Sequence, residues 1–256
     1  IEGTFIQDYL VASWDDYRWE KEYKALAEAG MKYLILMQTV YTGKNGETTS
    51  IYPSTLSGVK TKYAVDIVDN CLRNAKKFGF KVFLGLNFNE KWWDADYAPE
   101  WIYEQMQIGN KVAEELVHQY KNQYGETMYG WYWQWEVDNL HTKTQKEQEV
   151  LAQALNVNLD YLHQKTPEMP ILLSPFMNYK LGSAKEYGQI WTNVFNKTNF
   201  KEGDIFAPQD CIGAGGLTLD VLDEWFNALS QAVKTQPGLI YWGNIETFNQ
   251  FWTTAS

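Results

Sequence analysis

Short apolar runs recur along this chain, and each gives way to a longer stretch whose apolar residues fall three or four apart. GTFIQ (Gly3–Gln7) reads as a strand. From about Asp15 the apolar positions become Trp19, Tyr23 and Leu26, one face of a helix, and Gly30 stands where a left-handed cap would end it. YLILMQ (Tyr33–Gln38) is an unbroken apolar run closed by an amide, the pattern of a strand buried on both faces of a parallel sheet. The polar GKNGETTS that follows predicts a turn or hairpin. A second helix has Ala64, Val68, Cys71, Leu72 and Ala75 on one face and stops at Gly79, before the strand KVFLGLN (Lys81–Asn87). AGMKYLILMQ and FGFKVFLGLN share a frame: Gly, one apolar residue, Lys, then a buried strand ending in an amide.

A loop with Trp92 and Trp93 leads to a helix over roughly Tyr97–Tyr124, and GWYWQWEVDN (Gly130–Asn139) is a strand by its alternation. Helices near Thr144–Gln164 and Ala184–Phe195, and one carrying Leu222, Trp225, Phe226, Leu229 and Val233, separate the strands ILLSPF (Ile171–Phe176), DIFAPQD (Asp204–Asp210) and LIYWGNIE (Leu239–Glu246). Alternating strands and helices imply a parallel sheet. Seven such units in 256 residues predict an α/β fold of the (β/α)8 TIM-barrel type, as one domain over residues 1–256. The eighth strand is expected to be lacking or truncated, since only ten residues follow Glu246. A doubly wound open sheet is the alternative. It would need a Gly-rich phosphate loop after the first strand, where IQDYLVASWDD stands instead.

Composition narrows the function classes. A net charge of −10 and a pI near 4.9 argue against a nucleic-acid partner. No run of about 18 apolar residues predicts a membrane span. No signal peptide is visible and the residues open directly on a strand-like segment; a secreted or periplasmic monomer is nevertheless the expectation. Cys71 and Cys211 read as two free core thiols. His118, His141 and His163 have no zinc-site spacing, so neither metal nor cofactor is expected. The aromatic share of 16% serves the core, and it also suits the apolar faces of sugar rings.

Amides and acids close the strands: Gln7 and Asp8 on the first, Gln38 on the second, Asn87 on the third, Glu136 and Asp138 on the fourth, Gln209 and Asp210 on the sixth, Asn244 and Glu246 on the seventh. Asn178 lies past the fifth, and no Lys or Arg closes any of them. In a barrel of this type the C-terminal strand ends carry the active site. A ring of amides and acids there can bond many hydroxyls at once, which points to an oligo- or polysaccharide substrate. Glycoside hydrolysis takes two carboxyls, one protonated and one ionised, and strands four and seven lie on opposite sides of an eight-stranded ring. Glu136 and Glu246 are therefore the catalytic candidates. Strand parity puts Tyr132, Gln134 and Glu136 on the inner face and assigns Trp131, Trp133 and Trp135 to packing against helices. Substrate-binding candidates are Asp8, Gln38, Asn87, Trp92, Trp93, Gln134, Gln209, Asp210 and Asn244, with Trp14, Phe248 and Trp252 as further stacking residues.

The segments GTFIQ, GWYWQWEVDN, SPFMN, DIFAPQD and WGNIETF together resemble a family of TIM-barrel proteins labelled domain of unknown function 4434, related to the retaining glycosidase clan with glutamates on strands four and seven. The resemblance implies Glu136 as acid/base and Glu246 as nucleophile. That clan has Asn immediately before the strand-four Glu, whereas this chain has Trp135, which leaves Gln134 or Asn87 to supply the amide.

Plainer readings stand beside these. Either glutamate can serve a salt bridge at the barrel mouth. Asp210 can cap a turn before CIGAGG, GAGG (Gly213–Gly216) can simply give loop freedom, and Asp138 and Asn139 can open a loop. Ser174 lacks a nucleophile elbow. The rival functions are a glycan-binding barrel without catalysis and a lyase or isomerase. The latter would favour a Lys or His base, or a metal, at the strand ends.

Overall fold

The computed structural model describes residues 1–250. The chain divides into two compact units: Ile1–Gln134 with Tyr161–Ile171, and Trp135–Asp160 with the chain from Leu172 onward.

The first unit runs β1 (Gly3–Ile6), α1 (Asp8–Val11), α2 (Asp16–Glu28), β2 (Tyr33–Leu36), β3 (Val40–Thr42), β4 (Thr48–Ser50), β5 (Val59–Thr61), α3 (Ile67–Phe78), β6 (Lys81–Gly85), β7 (Asn87–Asn89), α4 (Pro99–Leu116), α5 (Asn122–Tyr124) and β8 (Met128–Trp133). Its main sheet is parallel in the order β1-β2-β6-β8. The crossover helices start and stop where side chains dictate. Asp15 caps α2 through the Arg18 N–H, Asp66 caps α3 through the Asp69 N–H, and α3 ends on Gly79 at φ 69°. The repeated Gly–apolar–Lys frame leads into β2 and β6, which pair one residue out of step with it, Lys81 opposite Tyr33, and the Lys81 N–H donates to Lys32 O at 2.9 Å.

A second, four-stranded sheet, β5-β4-β3-β7, is absent from the sequence reading. GKNGETTS does form the expected hairpin, as the β3–β4 turn, while β7 is a continuation of β6 that changes sheets. At the change the Thr39 N–H is shared between Gly85 O and Leu86 O at 3.2 and 3.1 Å.

Within this unit Phe5 of β1 meets Tyr132 of β8 edge-on at 5.3 Å, although β2 and β6 lie between their strands. The four strands therefore curl so that this face closes on itself. On the opposite face of β8, the Trp131 indole donates to Thr166 Oγ1 at 2.9 Å and the Trp133 indole to Met106 Sδ in α4 at 3.2 Å. These tryptophans are packing residues with satisfied N–H groups.

Helix α6 (Gln145–Lys165) passes from the second unit into the first, and β9 (Ile171–Leu173) passes back. The second unit continues with α7 (Ala184–Phe195), β10 (Ile205–Phe206), α8 (Leu219–Val233) and β11 (Ile240–Tyr241), and its strands are parallel in the order β9-β10-β11. A Ser183–Glu186 capping box starts α7. Trp191 and Phe195 of α7 pack on Phe206 at 4.7 and 5.2 Å. Gly188 lets α7 approach α8, since a Cβ there would lie 3.0 Å from Ala228 O.

These three strands are shorter than the apolar runs predicted, and proline is the reason. Pro175 and Pro208 have no N–H to give to a ladder. Beyond them the segments still run side by side, through Gln209 N to Pro175 O (2.9 Å), Asn244 N to Pro208 O (2.9 Å) and Asp210 N to Asn244 O (2.8 Å). Parallel strands in chain order with helices between them give the (β/α)8 TIM-barrel type of fold, with seven main-sheet strands among the described residues.

Gly130 has no room for a side chain: a Cβ would stand 2.4 Å from the Phe83 ring and 2.9 Å from Pro170 O. Gly130→Ala is expected to destabilise the protein by about 1–3 kcal/mol through overpacking. Urea unfolding reads this directly, and an unchanged midpoint would mean that Phe83 withdraws at no cost.

Candidate active site

A polar cluster gathers where β9, β10 and β11 end and at Glu136, all of it in the second unit. Gln209 and Asn244 are bridge partners on adjacent tails. The Gln209 amide donates both to Glu136 Oε1, at 3.2 Å, and to Ser174 O, at 3.1 Å. The Asn244 amide donates to Ser174 Oγ at 2.9 Å. Asp210, buried, accepts the Ile212 and Glu246 N–H groups on Oδ1, each at 3.2 Å. Glu246 Oε2 accepts the Ala214 N–H at 2.7 Å, and the Gly213 N–H also supports that carboxylate.

The two glutamates feel different surroundings. Burial pushes Glu136 up to about 7; the Gln209 amide opposes this, and the charge of Glu246 adds to it. Burial also raises Glu246 above the ordinary carboxylate value, with the Ala214 N–H opposing, Asp210 adding to the rise and the Gly213 N–H again opposing. A partly buried carboxyl poised near neutrality, coupled to a second one cradled by backbone N–H groups, can give a proton while its neighbour carries negative charge.

Most of the other sequence-derived candidates lie in the first unit, and several of them are engaged. Buried Asp8 accepts Lys62 Nζ at 2.7 Å and the Tyr63 hydroxyl at 2.8 Å. Asn87 is buried, and its amide donates to Gln105 O in α4 at 3.0 Å. Gln134 is buried against Gly85, whose absent Cβ would lie 2.8 Å from Gln134 Oε1. The Asn87 and Gln134 side-chain oxygens accept no hydrogen bond. Gln38 is half-buried. Trp92 stacks on Tyr97 at 5.6 Å, Trp93 leans on Phe88 at 5.7 Å with its ring half exposed, and Trp14 packs edge-on against Trp19 at 5.0 Å. In the second unit Phe248 is exposed, and Trp252 lies outside the described residues.

Asp138 opens the loop after β8: its Oδ1 accepts the Leu140 and His141 N–H groups, and its Oδ2 pairs with His141 Nδ1 at 2.8 Å. Asn139 then exchanges two hydrogen bonds with the backbone of Asn178, each 2.9 Å. Neither Ser174 as a bridge between amides nor Gly213–Ala214 as a carboxylate cradle was apparent in the sequence. The one available signal was GAGG, whose small residues let a backbone come close; a Cβ at Gly213 would sit 2.0 Å from Phe248 O. Among the described residues no group of His, Cys, Asp and Glu is arranged to hold a metal ion, and no helix is long and apolar enough to cross a membrane.

The family model described as Domain of unknown function (DUF4434) matches residues 1–256. Among solved structures, the chain is similar to one described as "a putative alpha-L-fucosidase from Bacteroides thetaiotaomicron VPI-5482", with TM-score 0.77 and 20% identity, covering 100% of this chain and 76% of that one. It is also similar to a GH10 endoxylanase from a sugarcane soil metagenome, with TM-score 0.53 and 10% identity over 98% of this chain and 69% of that one. The endo-1,4-beta-mannanase of Rhizomucor miehei gives TM-score 0.53 and 10% identity over 94% and 85%. At these identities the likeness is one of fold. A search of curated proteins returns no match.

The raised Glu136 makes a prediction about stability. Its folded value near 7 lies above the ordinary 4.5, so the folded state holds this proton more tightly than the unfolded chain does. Stability from this group is full at low pH and is lost as pH rises from about 4.5 through 7. Glu136→Gln, which cannot ionise, should match the wild type near pH 4.5 and exceed it above pH 7, by up to roughly 3 kcal/mol. Thermal unfolding of both proteins across that range tests it, and parallel curves would show that Glu136 is not destabilised by ionising.

Proposed function

The chain belongs to the family Domain of unknown function (DUF4434) over its whole length, and on that premise we propose that it is a glycoside hydrolase that cleaves with retention. The observation that carries this reading is the different setting of the two carboxyls: Glu136 is raised to about 7 by burial, and Glu246, close enough for its charge to act on Glu136, is held on two backbone N–H groups. The glycosidase names of the structures that share this fold support the same class.

Glu136, protonated, gives its proton to the glycosidic oxygen as the bond to the anomeric carbon breaks. Glu246 Oε1 attacks that carbon, because Oε2 is held by the Ala214 N–H. Glu136, now ionised, takes a proton from water, and the water oxygen displaces Glu246 with a second inversion. Gln209 steadies Glu136 in both states, since its amide can donate to either form of the carboxyl. Asp210 holds the Glu246 backbone. The substrate is an oligo- or polysaccharide, handled outside the cytoplasm by a single copy of the chain without a cofactor.

Hydrolysis should fall as pH rises through about 7, where Glu136 loses its proton, and should also fall on the acid side as Glu246 becomes protonated. Glu136→Gln should lose roughly 10²–10⁴-fold in kcat on substrates with poor leaving groups. A panel of plant and bacterial glycans, with the product anomer followed by NMR, tests the reading. Retained configuration in the wild type, and loss of turnover in Glu246→Gln, support it. Glycan binding without turnover in the wild type would replace it with a non-catalytic carbohydrate-binding barrel.

A further inference from the structure

Among the described residues only Ala95 and Cys211 carry a side chain at positive φ, and Cys211, at 53°, is buried at the centre of the candidate site. A left-handed residue is ordinarily glycine, and this turn has glycine at 213, 215 and 216 but not at 211. What the side chain adds is a pair of contacts. Cys211 Sγ accepts the Met177 N–H at 3.3 Å, and its S–H donates to Gln209 O at 3.4 Å. The Cys211 carbonyl accepts the Gly216 and Leu217 N–H groups at 2.8 and 3.1 Å, which closes the loop on itself. Two residues before Cys211 stands the amide on Glu136; two and three residues after it stand the N–H groups on Glu246. Burial pushes the thiol up to about 12, so it stays protonated and serves as a donor, not a nucleophile.

We propose that Cys211 is a positioning residue: its left-handed backbone and its thiol clamp set Gln209 against Glu136 and the Gly213–Ala214 cradle against Glu246 in one step. The proposal rests on the acid role given to Glu136 and adds to it the device that fixes the two carboxyls relative to one another. The thiol ties the Gln209 backbone to the segment at Met177, next to the strand tail that supplies Ser174 O, the second acceptor of the same amide. When the clamp is lost, Gln209 is free to turn away and Glu136 loses the donor that favours its ionised form.

Glutamate labelled with carbon-13 at Cδ allows the test without any substrate, Glu136 being identified by the signal missing from Glu136→Gln. Cys211→Gly keeps the backbone conformation without the thiol. Cys211→Ala keeps the Cβ and loses only the sulfur, and Cys211→Ser restores a donor and acceptor. In the Gly and Ala variants the Glu136 titration is expected to move upward by about one pH unit, with Ser returning it toward the wild type. The basic limb of the pH–rate profile should follow. A folded Cys211→Gly or Cys211→Ala whose Glu136 titrates as in the wild type overturns the positioning role and leaves the acid role standing. A wild-type Glu136 that titrates near 4.5 overturns the acid role, whereas an upward move in the variants from that lower start would still support the clamp.

Discussion

The candidate site depends on one unfavourable placement: a carboxyl buried close enough to a second carboxyl to feel its charge. Burial, joined by the charge of Glu246, raises Glu136 to about 7, well above the ordinary carboxylate value. The Gln209 amide opposes that rise by donating to Oε1 of the carboxyl. Glu246 is treated differently. Its charge is met by main-chain N–H groups, which are fixed dipoles that need no counter-ion and cannot titrate away. The two acids have the same side chain, and their separate behaviour comes from what the backbone brings to each.

That backbone arrangement follows from two prolines. Pro175 and Pro208 interrupt the ladders of β9 and β10 before the strands have run their apolar length. The segments beyond them remain extended and hydrogen-bonded to one another, and there the Gln209 and Asn244 amides both reach Ser174. A regular strand end would present a side chain every second residue. These tails present Gln209 and Asp210 to different partners from consecutive positions.

Much of the fold was legible because burial writes a period into the chain. The order of strands and helices, the caps at Asp15 and Gly79, and the outward direction of Trp131 and Trp133 all follow from spacing and parity. The small sheet was not legible, since β3, β4, β5 and β7 are three residues each, too short to carry a period, and β7 continues the apolar run of β6. The role of Asp8 escaped for another reason: its ion-pair partner, Lys62, lies 54 residues away on a segment that no motif marks. In the site, the side-chain letters Glu136, Gln209, Asp210, Asn244 and Glu246 pointed to a cluster, whereas the cradle at Gly213 and Ala214 is made of peptide N–H groups that every residue but proline owns.

The cradle also bears on the direction of the chemistry proposed. A carboxylate that uses Oε2 to accept backbone N–H groups has one oxygen left to attack, and that oxygen is fixed in direction by the other. When it bonds to carbon the glutamate loses its charge. The Ala214 N–H then faces a neutral ester carbonyl, a weaker acceptor than the carboxylate it held before. In the proposed cycle the hydrogen bond would be strongest when Glu246 is free and weakest in the covalent intermediate, and so would favour release of the sugar in the second step. Glu136 changes in the opposite sense: with the Glu246 charge gone, the force that kept its proton in place is reduced. In the retaining cycle proposed it would thus be a better anion at the stage where it must draw a proton from water, so the coupling between the two carboxyls would serve both halves of that cycle.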